Sequence, residues 1–255
     1  MRVVSLVPSL TETLFALGAG DSVVGITNFC IFPVGIDRPR VGGTKTPSVA
    51  AIRKLEPDLV YVNLEENLKR HAEEIATFAR VVATEPKTLD DVTSLIDQLG
   101  QTHRCEARAS EFVKQLAAER QPLGAFTFVV PIWKKPWMWC GGDTYVSNLV
   151  ESVGGRNLLR DRKRYPTIDS AEVLALKPDI VFLPDEPYAF SAEDAAQLSA
   201  PHPAFGHPLP ASQGEGSRAS AAKRRVRVIG PFPGHLFTWH GVRTIEGLRF
   251  LRRSL

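Results

Sequence analysis

The densest chemistry in this 255-residue chain is aromatic. All four tryptophans lie in its second half, three of them in Pro131-Ile132-Trp133-Lys134-Lys135-Pro136-Trp137-Met138-Trp139. Such rings present large flat apolar faces with a polar edge, so Trp133 and Trp137 are suited to walling a bulky, flat-sided ligand. The bland alternative is that they pack between lobes. Polar groups recur just beyond short apolar runs: Asn28 and Cys30 after Val23–Ile26, Glu65, Glu66 and Asn67 after Leu59–Val62, Asp185, Glu186 and Tyr188 after Ile180–Leu183, and Trp239 and His240 after Val226–Ile229. Open parallel sheets bind ligands beyond the carboxyl ends of their strands, which makes these positions a candidate ligand set. The acidic and imidazole groups would fix orientation. His240 would either hydrogen-bond or coordinate a chelated metal axially, titrating near 6.5.

Other chemistries lack their signatures. Gly18, Gly20 and Gly25 follow a helix pattern instead of opening one, and Gly42-Gly43-Thr44-Lys45-Thr46 lacks the order of a phosphate loop. No GxSxG or HExxH occurs, so no catalytic residue is assigned and the chain is expected not to be an enzyme. Cys30, Cys105 and Cys140 are too few and too widely spaced for a disulfide framework or a zinc ribbon. Cys30 is the best alternative nucleophile, and it reads rather as a small buried or pocket-lining residue. A net charge of +3 is weak evidence for nucleic acid, and the run Lys223, Arg224, Arg225, Arg227 reads as a solvated loop edge. Neither a signal sequence nor an 18-residue apolar span is visible, so the chain as written carries no export address and no membrane insertion.

The elements that must position these residues alternate between helix and buried strand. Val3–Val7 reads as a strand, Ser9 and Glu12 have capping-box spacing, Leu10, Leu14 and Leu17 share a helix face, and Gly18 ends it. Ser48 opens a helix that Pro57 stops before the strand Leu59–Val62. Ser170 opens another that Pro178 stops before Ile180–Leu183. LEPDLVYVN and LKPDIVFLP agree in chemistry almost throughout, and LFALGAGDSVVG is echoed by LVESVGGRNLL. Two echoes in one order predict two related lobes. The predicted fold is α/β: each lobe carries a mainly parallel sheet flanked by helices, and one rigid backbone helix joins them. The expected boundaries are 1–100 for the N-terminal lobe, 101–122 for the connecting helix and 123–255 for the C-terminal lobe. Gly100 separates a helix over Leu89–Leu99 from one over Arg104–Arg120. Residues 199–222, rich in Pro, Gly, Ser and Ala, read as a dispensable inserted loop in which His202 and His207 are solvated.

Several of these segments jointly resemble one family, the helical-backbone periplasmic binding proteins, in particular the cobalamin-binding and related metal-chelate receptors of ABC importers. The residues are RVVSLVPSLTETLFALG at Arg2–Gly18, the Pro-Asp strand units at Pro57 and Pro178, PIWKKPWM at Pro131–Met138, DTYVSNLVESVGG at Asp143–Gly155, and LPDEPYAF at Leu183–Phe190. Tyr145, inside the fourth motif, joins the candidate ligand set. The resemblance implies a monomer that captures cobalamin or a related metal chelate in an interlobe cleft, with no cofactor of its own and an ABC permease as partner. It also implies a periplasmic location. Family receptors carry an acidic docking residue early in the helix before each Pro-Asp strand. The matching positions here are Ala50 and Ala171, with Glu172 adjacent. Two other readings stay open: a cytoplasmic small-molecule sensor without a transporter, and an enzyme using Glu65, Glu186 and His240 as acid and base groups.

Overall fold

The computed structural model describes residues 1–200 and 226–255, so Lys223, Arg224, Arg225, His202, His207 and nearly all of the predicted insertion lie outside the described residues. The described chain divides into two compact units. The first comprises Met1–Leu123, Asn148–Val153 and His235–Leu255, and the second Gly124–Ser147 and Gly154–Gly234.

The first unit opens with β1 (Val3–Ser5), α1 (Pro8–Ala16), β2 (Val23–Ile26), α2 (Val49–Lys54), β3 (Leu59–Asn63), α3 (Lys69–Ile75) and β4 (Arg80–Thr84). Its strands form one parallel sheet in the order β2-β1-β3-β4. Side chains alternate across it. Val4, Val60 and Val62 enter an apolar cluster with Leu6, Ile52 and Ile75, whereas Tyr61, one residue out of phase, meets His103 at 3.0 Å. His103 ends α4 (Leu89–His103), which a Thr88–Asp91 capping box starts. Gly100 does not separate the two helices, as the sequence predicts, but sits inside α4. The chain turns instead at Arg104, which adopts a left-handed conformation at φ 58°, and α5 (Glu106–Glu119) follows. Gly100 serves packing, because a Cβ there would lie 2.6 Å from that of Ala109 on α5. α5 is thus shorter than the helix predicted over Arg104–Arg120.

The second unit begins with β5 (Phe126–Val129) and the antiparallel pair β6 (Pro131–Trp133) and β7 (Met138–Trp139). α6 (Tyr145–Glu151), β8 (Gly155–Asn157), α7 (Ser170–Ala175), β9 (Ile180–Pro184), α8 (Ala192–Ser199) and β10 (Arg227–Phe232) follow. Its parallel sheet runs β8-β5-β9-β10. Numbered along the chain within each parallel sheet, both have the order second, first, third, fourth, a shared topology in keeping with two related lobes.

The Pro-Asp echo has a shared atomic role. Glu56 and Lys177 close their helices at φ 45° and 58°, and proline then releases the chain into a strand. Asp58 Oδ2 accepts the backbone N–H of Arg2 at 2.6 Å, beside the start of β1, and Asp179 Oδ2 accepts that of Thr127 at 2.8 Å in β5. The two backbone N–H groups of these aspartates donate to the carbonyls of the same residues, at 2.8 and 3.1 Å. Each aspartate therefore pins the entry of the third strand to the first.

Three local expectations change. Ser9 does not cap α1: Val7 occupies the cap position, Pro8 begins the helix, and Ser9 lies buried within it. Asp169, not Ser170, caps α7. The C-terminal elements α9 (His235–Thr238) and α10 (Arg243–Ser254), expected with residues 123–255 in one lobe, group with the first unit. The apolar stripe of Ile245, Leu248 and Leu251 is buried there, and Arg249 clamps Glu119 of α5 at 2.9 Å.

Candidate functional site

In the first unit the segment after β2 leaves Phe29, Ile31 and Val34 exposed, Val34 to 87%, and Leu64 is exposed just after β3. These apolar side chains sit at the carboxyl ends of parallel strands, where such sheets bind ligands. Cys30, between Phe29 and Ile31 in sequence, has no exposed surface. Its Sγ is 3.1 Å from Thr11 Oγ1 and 3.2 Å from Thr27 Oγ1, and Arg40 donates to the carbonyls of Thr27 and Cys30 at 2.7 and 2.8 Å. Burial pushes the Cys30 thiol up, which disfavours the thiolate. Cys30 is thus a buried anchor for the segment instead of a pocket wall.

Phe32 links this segment to the C-terminal elements. Its ring meets His235 and Trp239 edge-on at 5.2 and 5.7 Å, and the Arg243 guanidinium lies 4.0 Å over its face. Arg243 also grips Glu12 of α1 through two nitrogens, one at 3.0 Å. Burial raises the Glu12 pKa, opposed by the hydrogen bond and charge of Arg243. Trp239 and His240 therefore follow a helical turn in the first unit and do not extend a strand end of the second. His240 is buried, with Nε2 3.3 Å from Ser9 Oγ, and burial pushes its pKa down to about 4. The expectation of a ring titrating near 6.5 is corrected: desolvation disfavours the imidazolium.

Beyond β3, Glu65 is exposed and Glu66 half-buried. Asn67 is committed to the fold. Its carboxamide donates to the carbonyls of Leu6 and Thr44 at 3.2 and 2.8 Å and accepts from the Asn63 N–H at 2.7 Å. Asn28 is exposed beside Phe29.

In the second unit the β6–β7 hairpin separates the three tryptophans by depth. Trp139 is fully buried, its Nε1 donating to the Ile168 carbonyl at 2.9 Å. Trp137 is half-buried and stacked between Trp139 and Phe190, with ring centroids 5.6 and 5.8 Å away. Trp133 is 41% exposed and meets Tyr188 edge-on at 5.3 Å, and Tyr188 contacts Phe190 at 4.8 Å. One tryptophan is thus core, one backs the wall and one faces outward. Asp185, exposed after β9, accepts the Gly234 N–H at 2.6 Å, and Glu186 beside it is half-buried. Tyr145 is buried at the start of α6.

The apolar surface of Phe29, Ile31, Val34 and Leu64 escapes the sequence reading, although Phe29, Ile31 and Phe32 crowding around Cys30 in a proline- and glycine-rich segment was its available signal. Among the described residues, no group of three or more His, Cys, Asp or Glu side chains is arranged to hold a metal ion, and no helix is long and apolar enough to cross a membrane.

Comparison with known proteins gives this geometry a family. The family model described as "Periplasmic binding protein" matches residues 3–205. A vitamin B12-binding protein of Yersinia pestis (strain Pestoides F) is 26% identical over 193 residues, covering 71% of this chain and 68% of the relative. An uncharacterized ABC transporter substrate-binding lipoprotein, YvrC of Bacillus subtilis (strain 168), is 24% identical over 203 residues, covering 72% of this chain and 63% of its own. Among solved structures, the periplasmic vitamin B12 binding protein BtuF of Vibrio cholerae superimposes with a TM-score of 0.74 at 20% identity, over 99% of this chain and 95% of its own. The periplasmic heme-binding protein RhuT from Roseiflexus sp. RS-1, in apo form, gives 0.75 at 21% identity, over 99% and 97%. Two parallel sheets with apolar surfaces at their strand ends, and a family match over most of the chain, lead to one conclusion: this chain belongs to the periplasmic binding protein family, a family of solute-binding proteins and not of enzymes.

Proposed function

We propose that this protein captures cobalamin or a related metal chelate and delivers it to an ABC importer. The carrying observation is the aromatic wall of Trp133, Tyr188, Trp137 and Phe190 beyond the strands of the second sheet. It offers a ridged apolar surface, because Trp133 meets Tyr188 at 72°, Tyr188 meets Phe190 at 54° and Trp137 stacks on Phe190. The exposed Phe29, Ile31 and Leu64 give the first unit a strand-end surface of the same character. A chelate suits such a surface: its ring system removes apolar area from water against the aromatic wall, while Glu186, half-buried after β9, orients its polar rim. The names of the relatives support both parts, since they include vitamin B12 and heme binders and an ABC transporter substrate-binding lipoprotein. Titration with cyanocobalamin, haemin and a ferric siderophore, followed by tryptophan fluorescence and calorimetry, tests the proposal. Saturable binding of one of them at one site per chain is expected. Absence of binding by all three would refute it.

A further inference from the structure

Between the two wall tryptophans lies a lysine whose environment is unusual for its type. The Lys134 side chain is only 21% exposed, its ammonium is paired with the Asp194 carboxylate, which is 10% exposed, and it donates to Gln197 Oε1 at 3.2 Å. The same ammonium lies 5.4 Å from the centroid of the Trp137 ring. Lysines on hairpin tips ordinarily extend into water, and drawing an ammonium inward is costly unless a partner is fixed in place.

Asp194 is such a partner. It occupies the third position of α8, where Oδ2 accepts the Ser191 N–H at 2.9 Å while its own N–H donates to Ser191 Oγ at 3.3 Å. The capping box fixes the carboxylate, and Oδ1 is left to receive Lys134. Burial works to raise the Asp194 pKa, but the Lys134 hydrogen bond and the Ser191 N–H outweigh it and hold the carboxyl below its ordinary range. Lys135, the next residue, is exposed and makes no such contact among the described residues.

We propose that Lys134 is a positioning residue for ligand binding: anchored on the N-terminal turn of α8, it holds the hairpin so that Trp133 stays against Tyr188 and Trp137 against Phe190. This deepens the proposed function and rests on the wall being the binding surface. Side-chain orientation lost at a wall must be restored by the ligand on binding, which lowers affinity without removing any contact.

The test uses the full chain, with cyanocobalamin and haemin as probes, and compares Lys134→Met, Lys134→Arg, Asp194→Asn, Lys135→Gln and Trp133→Ala. Two readouts are taken: the near-ultraviolet circular dichroism of the unliganded protein, which reports tryptophan packing, and affinity for the probe. Lys134→Met is expected to alter the tryptophan bands and weaken binding about tenfold, Lys134→Arg to restore most of both, and Lys135→Gln to change neither. Asp194→Asn keeps an oxygen for the cap but weakens the grip on Lys134, and is expected to follow Lys134→Met even if the latter folds poorly. If Trp133→Ala loses binding while Lys134→Met and Asp194→Asn bind like the parent, the positioning role is overturned and the wall stands. If Trp133→Ala also binds like the parent, the wall reading itself falls. If neither probe binds the parent, the ligand assignment falls, and unchanged tryptophan bands in both variants would overturn the positioning role independently.

Discussion

Acidification should load the fold at His240. The ring is buried within the first unit, its Nε2 faces Ser9 Oγ at 3.3 Å, and burial sets its pKa at about 4. In the unfolded chain the same ring titrates near 6.5. Between those values the unfolded state binds the extra proton and the folded state does not, so stability contributed above 6.5 is lost as the pH falls and the loss is complete below about 4. The gap corresponds to about 3 kcal/mol in full, of which about 2 kcal/mol is lost by pH 5. A His240→Gln variant keeps a polar partner for Ser9 and removes the titration. Ring-proton resonances followed by NMR from pH 3.5 to 8, with the variant assigning the His240 signal, should place its midpoint near 4. Urea unfolding at pH 7.5 and 5 should show the parent losing about 2 kcal/mol more than the variant. A His240 midpoint near 6.5, or parallel losses in parent and variant, would refute the burial argument and return the imidazole to an exposed, ligand-accessible role.

Replacing Trp133, 41% exposed, with alanine should leave the thermal midpoint nearly unchanged. Calorimetry should nevertheless show weaker binding by about 2 kcal/mol, from roughly 100 Å² of lost apolar burial. Asp179→Ala removes the acceptor of both the Thr127 N–H and its Oγ1, at 2.8 and 2.9 Å, and should cost about 1–3 kcal/mol in urea unfolding. Asp58→Ala should cost less than about 1 kcal/mol in the same assay, because that side chain is 62% exposed and water replaces it. Gly100→Leu would force α4 from Ala109, already 2.6 Å from where a Cβ would stand, and should lower stability by about 1–3 kcal/mol in thermal melts.

The sequence determined what local chemistry decides. Pro57 and Pro178 cannot continue a helix, the apolar runs behind them have no polar face to show water, and Gly18 takes the left-handed conformation, at φ 86°, that ends α1. Repetition of those signals made the paired sheets legible, and the spacing of polar groups beyond the strands pointed to the strand ends. Only the tertiary structure decided which residues there are available. Cys30 and Asn67 share those positions, but the one is fully buried against Thr11 and Thr27 and the other is bonded to two carbonyls. Trp133 and Trp139 look alike in sequence, and their difference in exposure arises from the register: Trp133 pairs with Met138, so it faces away from the next residue, Trp139, whose side meets the core. The stripe of Ile245, Leu248 and Leu251 announced that α10 would be buried but not against what. An amphipathic pattern records the direction of the core along one helix, whereas the choice of partner depends on the shapes and charges, such as Glu12 for Arg243 and Glu119 for Arg249, that distant segments bring to meet it.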